Sequence, residues 1–194
     1  RPAVQDVSFS LRSGEILGLG GLQGSGASEL LNALFGTYGR TARGRVTLNG
    51  DSFIPSSPKR SIRKGMALLT NDRKTTGLVL NMNIVRNITL ASVPDYSPTF
   101  LMAHTAEQKA AAAHQQLFGI KAASLSQPVN ALSGGNQQKV VLAKWLETSP
   151  KVLLLDEPTR GVDVGAKHEI YELMDRWTDQ GIAIILITSE MPEL

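Results

Sequence analysis

The chain has 194 residues, of which 42% are hydrophobic and 19% charged, with a net charge of +3 and no cysteine. That composition excludes a disordered chain and suits one folded domain with a full apolar core. It also excludes disulfides and thiolate zinc sites. The longest purely aliphatic run, Ile182 to Ile187, falls far short of the ~20 residues that cross a bilayer.

In chain order, Val7 to Leu11 alternates apolar and polar residues and predicts a half-buried strand. No secretory pattern precedes it, which suggests a cytosolic chain. After the turn Ser13-Gly14, Glu15 to Leu19 predicts a second, more apolar strand. A glycine-rich loop follows, then a helix from Ser28 to Phe35 stopped by Gly36. Arg45 to Leu48 reads as a short strand closed by the turn Asn49-Gly50, and Met66 to Leu69 as an apolar strand. Between them lies the basic cluster Lys59, Arg60, Arg63 and Lys64, which fits a solvated helix face better than an interaction patch.

From about residue 72 to 138 strand signals disappear, prolines punctuate the chain and Ala106 to Phe118 predicts a helix. A helix (Asn136 to Glu147), a buried strand (Val152 to Leu155), a helix (Ala166 to Gln180) and a buried strand (Ile182 to Ile187) complete the pattern. Short aliphatic strands alternating with helices predict an α/β domain with a largely parallel sheet. The expected division is an α/β core, 1–71 and 139–194, around a helical subdomain, about 72–138.

Three motifs carry chemistry. The segment Gly21-Leu22-Gln23-Gly24-Ser25-Gly26-Ala27-Ser28 matches the phosphate-loop pattern G-x-x-x-x-G-K-[ST] at every fixed position except the lysine, where Ala27 stands. Its glycines would let successive N–H groups converge on one anion at a helix N-terminus, and Ser28 would offer a hydroxyl to Mg²⁺. Without the lysine, a glycine-rich turn holding no ligand explains the loop almost as well. Loss of a charge-assisted bond worth ~1.5–3 kcal/mol predicts nucleotide binding roughly 10- to 150-fold weaker. Glu29, in the first helical turn, suits the helix dipole but would repel a triphosphate.

The second motif, Val152 to Glu157, is a buried strand that delivers two carboxylates at its C-terminal end. Asp156 would hold Mg²⁺ and Glu157 would orient or deprotonate an attacking water. The third is LSGGNQQK, Leu132 to Lys139. Ser133 is a natural N-cap, and Gly134 and Gly135 leave amides uncovered at a helix start, which makes a second anion site.

LSGGNQQK followed by LLLDEPTRGVD resembles the signature and Walker B motifs of ATP-binding-cassette (ABC) ATPases, a P-loop NTPase fold. The wording NQQK, EPTRGVDVGAK and SEMPEL resembles the ATP-binding subunits of bacterial simple-sugar importers of the ribose, galactose, arabinose and autoinducer-2 type. The likeness covers essentially the whole chain. It implies a mostly parallel sheet core with antiparallel N-terminal strands and a helical subdomain. It also implies ATP and Mg²⁺ as cofactors, a second cassette and an integral-membrane permease as partners, and a place at the cytoplasmic face of the inner membrane.

In such proteins two cassettes sandwich ATP between the phosphate loop of one and the signature of the other. The resemblance therefore implies that Gly21, Gln23, Gly24, Ser25, Gly26, Ala27, Ser28 and Glu29 serve this chain's own nucleotide. Ser133, Gly134, Gly135 and Gln137 would serve a partner's, with Asp163 at the dimer interface. Asn71 stands near the place of a glutamine that senses the permease, and Ser189 in the place of a switch histidine. By the family's pattern the first strand, with its adenine-stacking aromatic, and the closing strands are missing. A cassette acting on DNA or ribosomes is the rival. The absence of sustained heptads before the signature argues against its DNA-repair form, so no nucleic acid is expected. A catalytically idle interaction module is the third possibility.

Overall fold

The computed structural model describes residues 4–21, 24–97 and 101–190. The chain divides into two compact units. One comprises Arg1–Leu68, Pro150–Pro158 and Arg176–Leu194, the other Leu69–Ser149 and Thr159–Asp175.

The first unit is built on strands β1 (Ile16–Gly20), β4 (Met66–Leu69), β5 (Val152–Asp156) and β6 (Ala183–Thr188), ordered β1-β6-β5-β4 in one sheet. β6 runs parallel to both β1 and β5. β5 and β6 are aliphatic at nearly every position because both faces are covered, whereas β1, at the edge, alternates exposed and half-buried residues. Helix α1 (Ala27–Phe35) follows β1 through the glycine loop and buries Leu31 and Phe35. Full burial of a leucine of this kind stabilises by roughly 1.5–3 kcal/mol.

An antiparallel pair, β2 (Val46–Leu48) with β3 (Asp51–Phe53), turns at Asn49-Gly50 as predicted. Asn49 and Gly50 both have positive φ, the combination that a tight hairpin turn demands. Helix α2 (Pro58–Arg63) is capped by Ser57, whose hydroxyl accepts from the Arg60 amide. Lys59, Arg60, Arg63 and Lys64 are exposed and Ser61 is buried, so the basic cluster is a solvated helix face.

The predicted strand at Val7 to Leu11 does not form. Those residues pair with no described strand, and Val7 and Phe9 are 52% and 41% exposed. Alternation specifies a strand only when a neighbour completes its hydrogen bonds, and β6 takes β1 instead.

The second unit is helical. It contains α3 (Ile84–Thr89), α4 (Val93–Tyr96), α5 (His104–Phe118), α6 (Gly134–Leu146) and most of α7, which runs Val164–Asp179. A short π-helical turn, Arg73–Gly77, precedes them. Its core is formed by Ile84, Ile88, Ala111, Phe118, Val129, Val140 and Val141. Two of the polar groups inside it show how burial is offset. Asn87 is fully buried and spends its amide on the carbonyls of Val79, Met82 and Asn83 while accepting from the Val79 amide. Glu147 accepts from the Tyr96 hydroxyl and meets His114 Nε2 at 2.5 Å. Burial alone would raise the Glu147 carboxyl, but those bonds outweigh it and hold it below its ordinary value.

Candidate nucleotide site

In the first unit, strand register brings three predicted features to one sheet edge. Gly20 lies opposite Thr188, and Asp156 opposite Ile187. The glycine loop, the two carboxylates and Ser189 therefore all leave the carboxyl ends of parallel strands, where open α/β sheets bind ligands.

Asp156 is 2% exposed. The chain then turns sharply: Glu157 has φ +52°, a left-handed conformation costly for a residue with a Cβ. Its amide donates to Ile187 O at 3.0 Å, and its Oε1 accepts from the Ser189 amide at 2.9 Å. β6 thus holds the Glu157 backbone and one carboxylate oxygen. A carboxylate fixed through one oxygen directs the other, which is what positioning a water requires.

Gly24 and Gly26 have φ +87° and +97°, values that exclude ordinary side chains. Gly26 is the N-cap of α1 and makes no side-chain cap bond, so the first-turn amides are left to whatever the loop encloses. Ser28 and Glu29 sit half-buried in that first turn, and the Ser28 carbonyl accepts from Asn32 Nδ2. The Ala27 side chain adds no donor. Gln23 lies outside the described residues.

This donor set fits a magnesium–phosphate group except for its missing cation. Amides face an anion, and Ser28 with Asp156 offers two hard oxygens of the kind Mg²⁺ takes alongside phosphate. Among the described residues there is no cluster of three or more His, Cys, Asp or Glu side chains able to hold a metal by themselves.

In the second unit, Ser133 caps α6. Its Oγ accepts from the Asn136 amide at 3.5 Å and from Asn136 Nδ2 at 2.9 Å, while Asn136 Oδ1 accepts from the Lys121 amide at 2.7 Å. A hydroxyl that accepts twice has its proton left to give outward. Gly134 and Gly135 begin the helix. A Cβ on Gly135 would lie 3.0 Å from Ala166 Cβ. Asp163 Oδ1 accepts from the Ala166 amide at 2.9 Å and so caps α7.

Gln137 is turned inward. It is 8% exposed, and its Nε2 donates to Leu132 O at 3.0 Å and Val129 O at 3.4 Å. Its role in this structure is to brace the turn before Ser133. Asn71 lies at a bend between β4 and the π turn, half-buried.

Sequence reasoning missed Arg73. Nη1 donates to Arg160 O at 2.8 Å and Nη2 to Gly161 O at 3.3 Å, and the guanidinium packs beside Gly134. Its partners are 87 and 88 positions away, so local pattern carries no signal for it.

A parallel sheet with a glycine loop entering a helix and acids at the carboxyl edge defines an α/β P-loop NTPase fold. The chain aligns with "Dimeric structure of a post-hydrolysis state of the ATP-binding cassette MJ0796 bound to ADP and Pi" at TM-score 0.82 and 21% identity, covering 98% of this chain and 81% of that one. It aligns with a nucleotide-free ATP-binding cassette from an ABC transporter at TM-score 0.81 and 21% identity, covering 98% and 76%.

Residues 4–160 match the ABC transporter family model, and the chain belongs to that family. It is 48% identical over 194 residues to the xylose import ATP-binding protein XylG of Geobacillus kaustophilus (strain HTA426), covering 100% of this chain and 38% of that protein. It is 47% identical over 190 residues to the ribose import ATP-binding protein RbsA of Lactococcus lactis subsp. lactis (strain IL1403), covering 98% and 38%. The chain thus spans little more than a third of the length of these relatives.

Proposed function

We propose that this chain is one of two ATP-binding cassettes in a sugar-import ATPase, the second in its polypeptide. Its signature turn completes the partner cassette's ATP site, while its own glycine loop binds Mg²⁺-ATP weakly and hydrolyses it slowly. The observation that carries this reading is the contrast at position 27: a loop shaped for phosphate has Ala27 where the cation belongs, and the Ser133 turn lacks nothing. The names and 48% and 47% identities of the import proteins support the sugar-transport part.

At its own site, the first-turn amides of α1 would hold phosphate, Ser28 and Asp156 would hold Mg²⁺, and Glu157 would orient the water. Bound Mg²⁺ supplies charge neutralisation of the phosphates. Without a lysine, negative charge developing in the transition state has one counter-charge fewer, so rate falls further than affinity. Ser189 offers an amide to Glu157 but no titratable ring. Across the partner's site, the Ser133 hydroxyl and the amides of Gly134 and Gly135 would donate to phosphate, with Asp163 facing the partner cassette. Asn71 would lie toward an integral-membrane permease, which would hold the protein at the cytoplasmic face of the inner membrane. Among the described residues no helix is long and apolar enough to cross a membrane.

The test is ATP turnover by the full two-cassette polypeptide carrying Ser133→Ala or Glu157→Gln. Ser133→Ala is expected to lower kcat about 100-fold, in the range for removing one transition-state donor. Glu157→Gln is expected to lower it less than about threefold, because it disables a site that contributes little. The opposite order would make this chain's own site the working one.

A further inference from the structure

The segment after β4 is tied at two cationic points, one to the signature helix and one to the loop that leads to Asp163. Asp72 caps the π turn: its carboxylate accepts from the amides of Lys74 and Thr75 and from the Thr75 hydroxyl. At the end of that turn, Lys144 of α6, 5% exposed, donates from Nζ to Gly77 O at 2.6 Å. At its start, the Arg73 fork grips the Arg160 and Gly161 carbonyls, in the loop that leads to Asp163.

Gly134 shows how closely this grip meets the signature. A Cβ there would lie 2.9 Å from Arg73 Nη2 and 3.2 Å from Gly161 O. A side chain there would push the guanidinium tip aside and crowd the carbonyl, so the glycine at the first position of α6 lets both come this close. Arg73 Nε is buried and has no hydrogen-bond partner among the described residues, a desolvation cost that the bonds of Nη1 and Nη2 offset.

We propose that Arg73 is a positioning residue for the signature: its guanidinium fixes the Arg160–Gly161 carbonyls against Gly134 and so sets the placement of Ser133, Gly134 and Asp163. It joins the Asn71 segment directly to the signature turn, so a displacement of one is felt by the other. The inference rests on the reading that the signature serves a partner's nucleotide. Lysine cannot replace the fork, because a single ammonium does not reproduce two divergent N–H bonds in one plane.

The experiment uses the full two-cassette polypeptide with Arg73→Lys, Arg73→Ala and, separately, Ser133→Ala. Two readouts are needed: the kcat and KM of ATP hydrolysis, and amide hydrogen exchange without nucleotide. Arg73→Lys is expected to lower kcat about tenfold while KM for ATP changes less than about twofold, since two bonds from a charged donor are lost without any contact to the nucleotide's own loop. Exchange at residues 133–137 and 160–163 is expected to rise about tenfold, with α3 and α5 unchanged. Arg73→Ala shows whether the fork or mere bulk is required, and its effect should equal or exceed that of Arg73→Lys.

Unchanged exchange in those two segments would overturn the proposal, as would a uniform rise across the chain, which marks general destabilisation. If Ser133→Ala lowers turnover and Arg73→Lys does not, Arg73 is not a positioning residue and the functional reading stands. If Ser133→Ala leaves turnover unchanged, the functional reading fails and this inference with it.

Discussion

The two regions proposed to serve nucleotide differ in how far the chain's own bonds hold them. At the sheet edge, the glycine loop has uncapped amides, half-buried Ser28 and Glu29, and no lysine at position 27. Around the starts of α6 and α7 the predicted residues are braced: Ser133 by Asn136, the preceding turn by Gln137, Gly134 against Arg73, and Asp163 by the Ala166 amide. The first region lacks a cation at position 27, which is what the proposed weak binding there requires. The second is held by bonds within the chain, which suits the proposal that it presents donors without reorganising. The two regions draw their order from different local bonds, so a change in one need not disturb the other.

Ala27→Lys adds the missing cation. If the loop is otherwise competent, Mg²⁺-ATP affinity at this site should rise about 10- to 150-fold by equilibrium titration. Unchanged affinity would place the defect in Glu29 or in the loop's shape instead.

The bracing of α6 also titrates. Burial lowers the Lys144 ammonium from 10.5 to about 8. Between those values the unfolded chain holds a proton that the folded chain does not, so this group adds stability as pH rises through the window. From pH 8 to 9.5, below the ordinary range of tyrosine, denaturation midpoints should report a gain of up to about 2 kcal/mol from Lys144. Lys144→Met should remove that slope. A slope identical in the variant would show that Lys144 is not the group responsible. Tyr96, raised by burial and by its bond to Glu147, acts in the opposite sense only at higher pH.

The smallest difference concerns the two sites' side chains as structural parts. Gln137→Ala strands the carbonyls of Leu132 and Val129 and should cost about 1–2 kcal/mol, read as a lower Tm. Glu29→Ala should shift stability by no more than about 0.5 kcal/mol, since a half-buried acid in a first helical turn contributes little beyond its interaction with the helix dipole. Equal losses would erase the distinction between a braced and an open region.

Much of this was legible in the sequence because it rests on local rules. Aliphatic runs gave β4, β5 and β6, turn chemistry gave Asn49-Gly50, and Gly36 marked the end of α1. The edge that gathers Gly21, Asp156, Glu157 and Ser189 followed from strand-to-helix order. Non-local facts were hidden. Val7 to Leu11 has the pattern of a strand, but pairing with a neighbour decides whether one forms. Gln137 sits in a motif that suggests ligand contact, yet its amide faces inward to carbonyls. Arg73 looks like one more surface base, and only the fold brings it to Arg160 and Gly161. The Asp72 cap followed by Thr75 and Thr76 hints at a tight turn there, but not at where its guanidinium goes.

The most direct measurement is equilibrium binding of Mg²⁺-ATP to the full two-cassette polypeptide under conditions that arrest hydrolysis, counting sites and their affinities. One tight site and a second roughly 10- to 150-fold weaker, with Ala27→Lys converting the weak site to a tight one, is the predicted result. Two tight sites of equal affinity in the unaltered protein would contradict the division of labour proposed for Ala27 and Ser133.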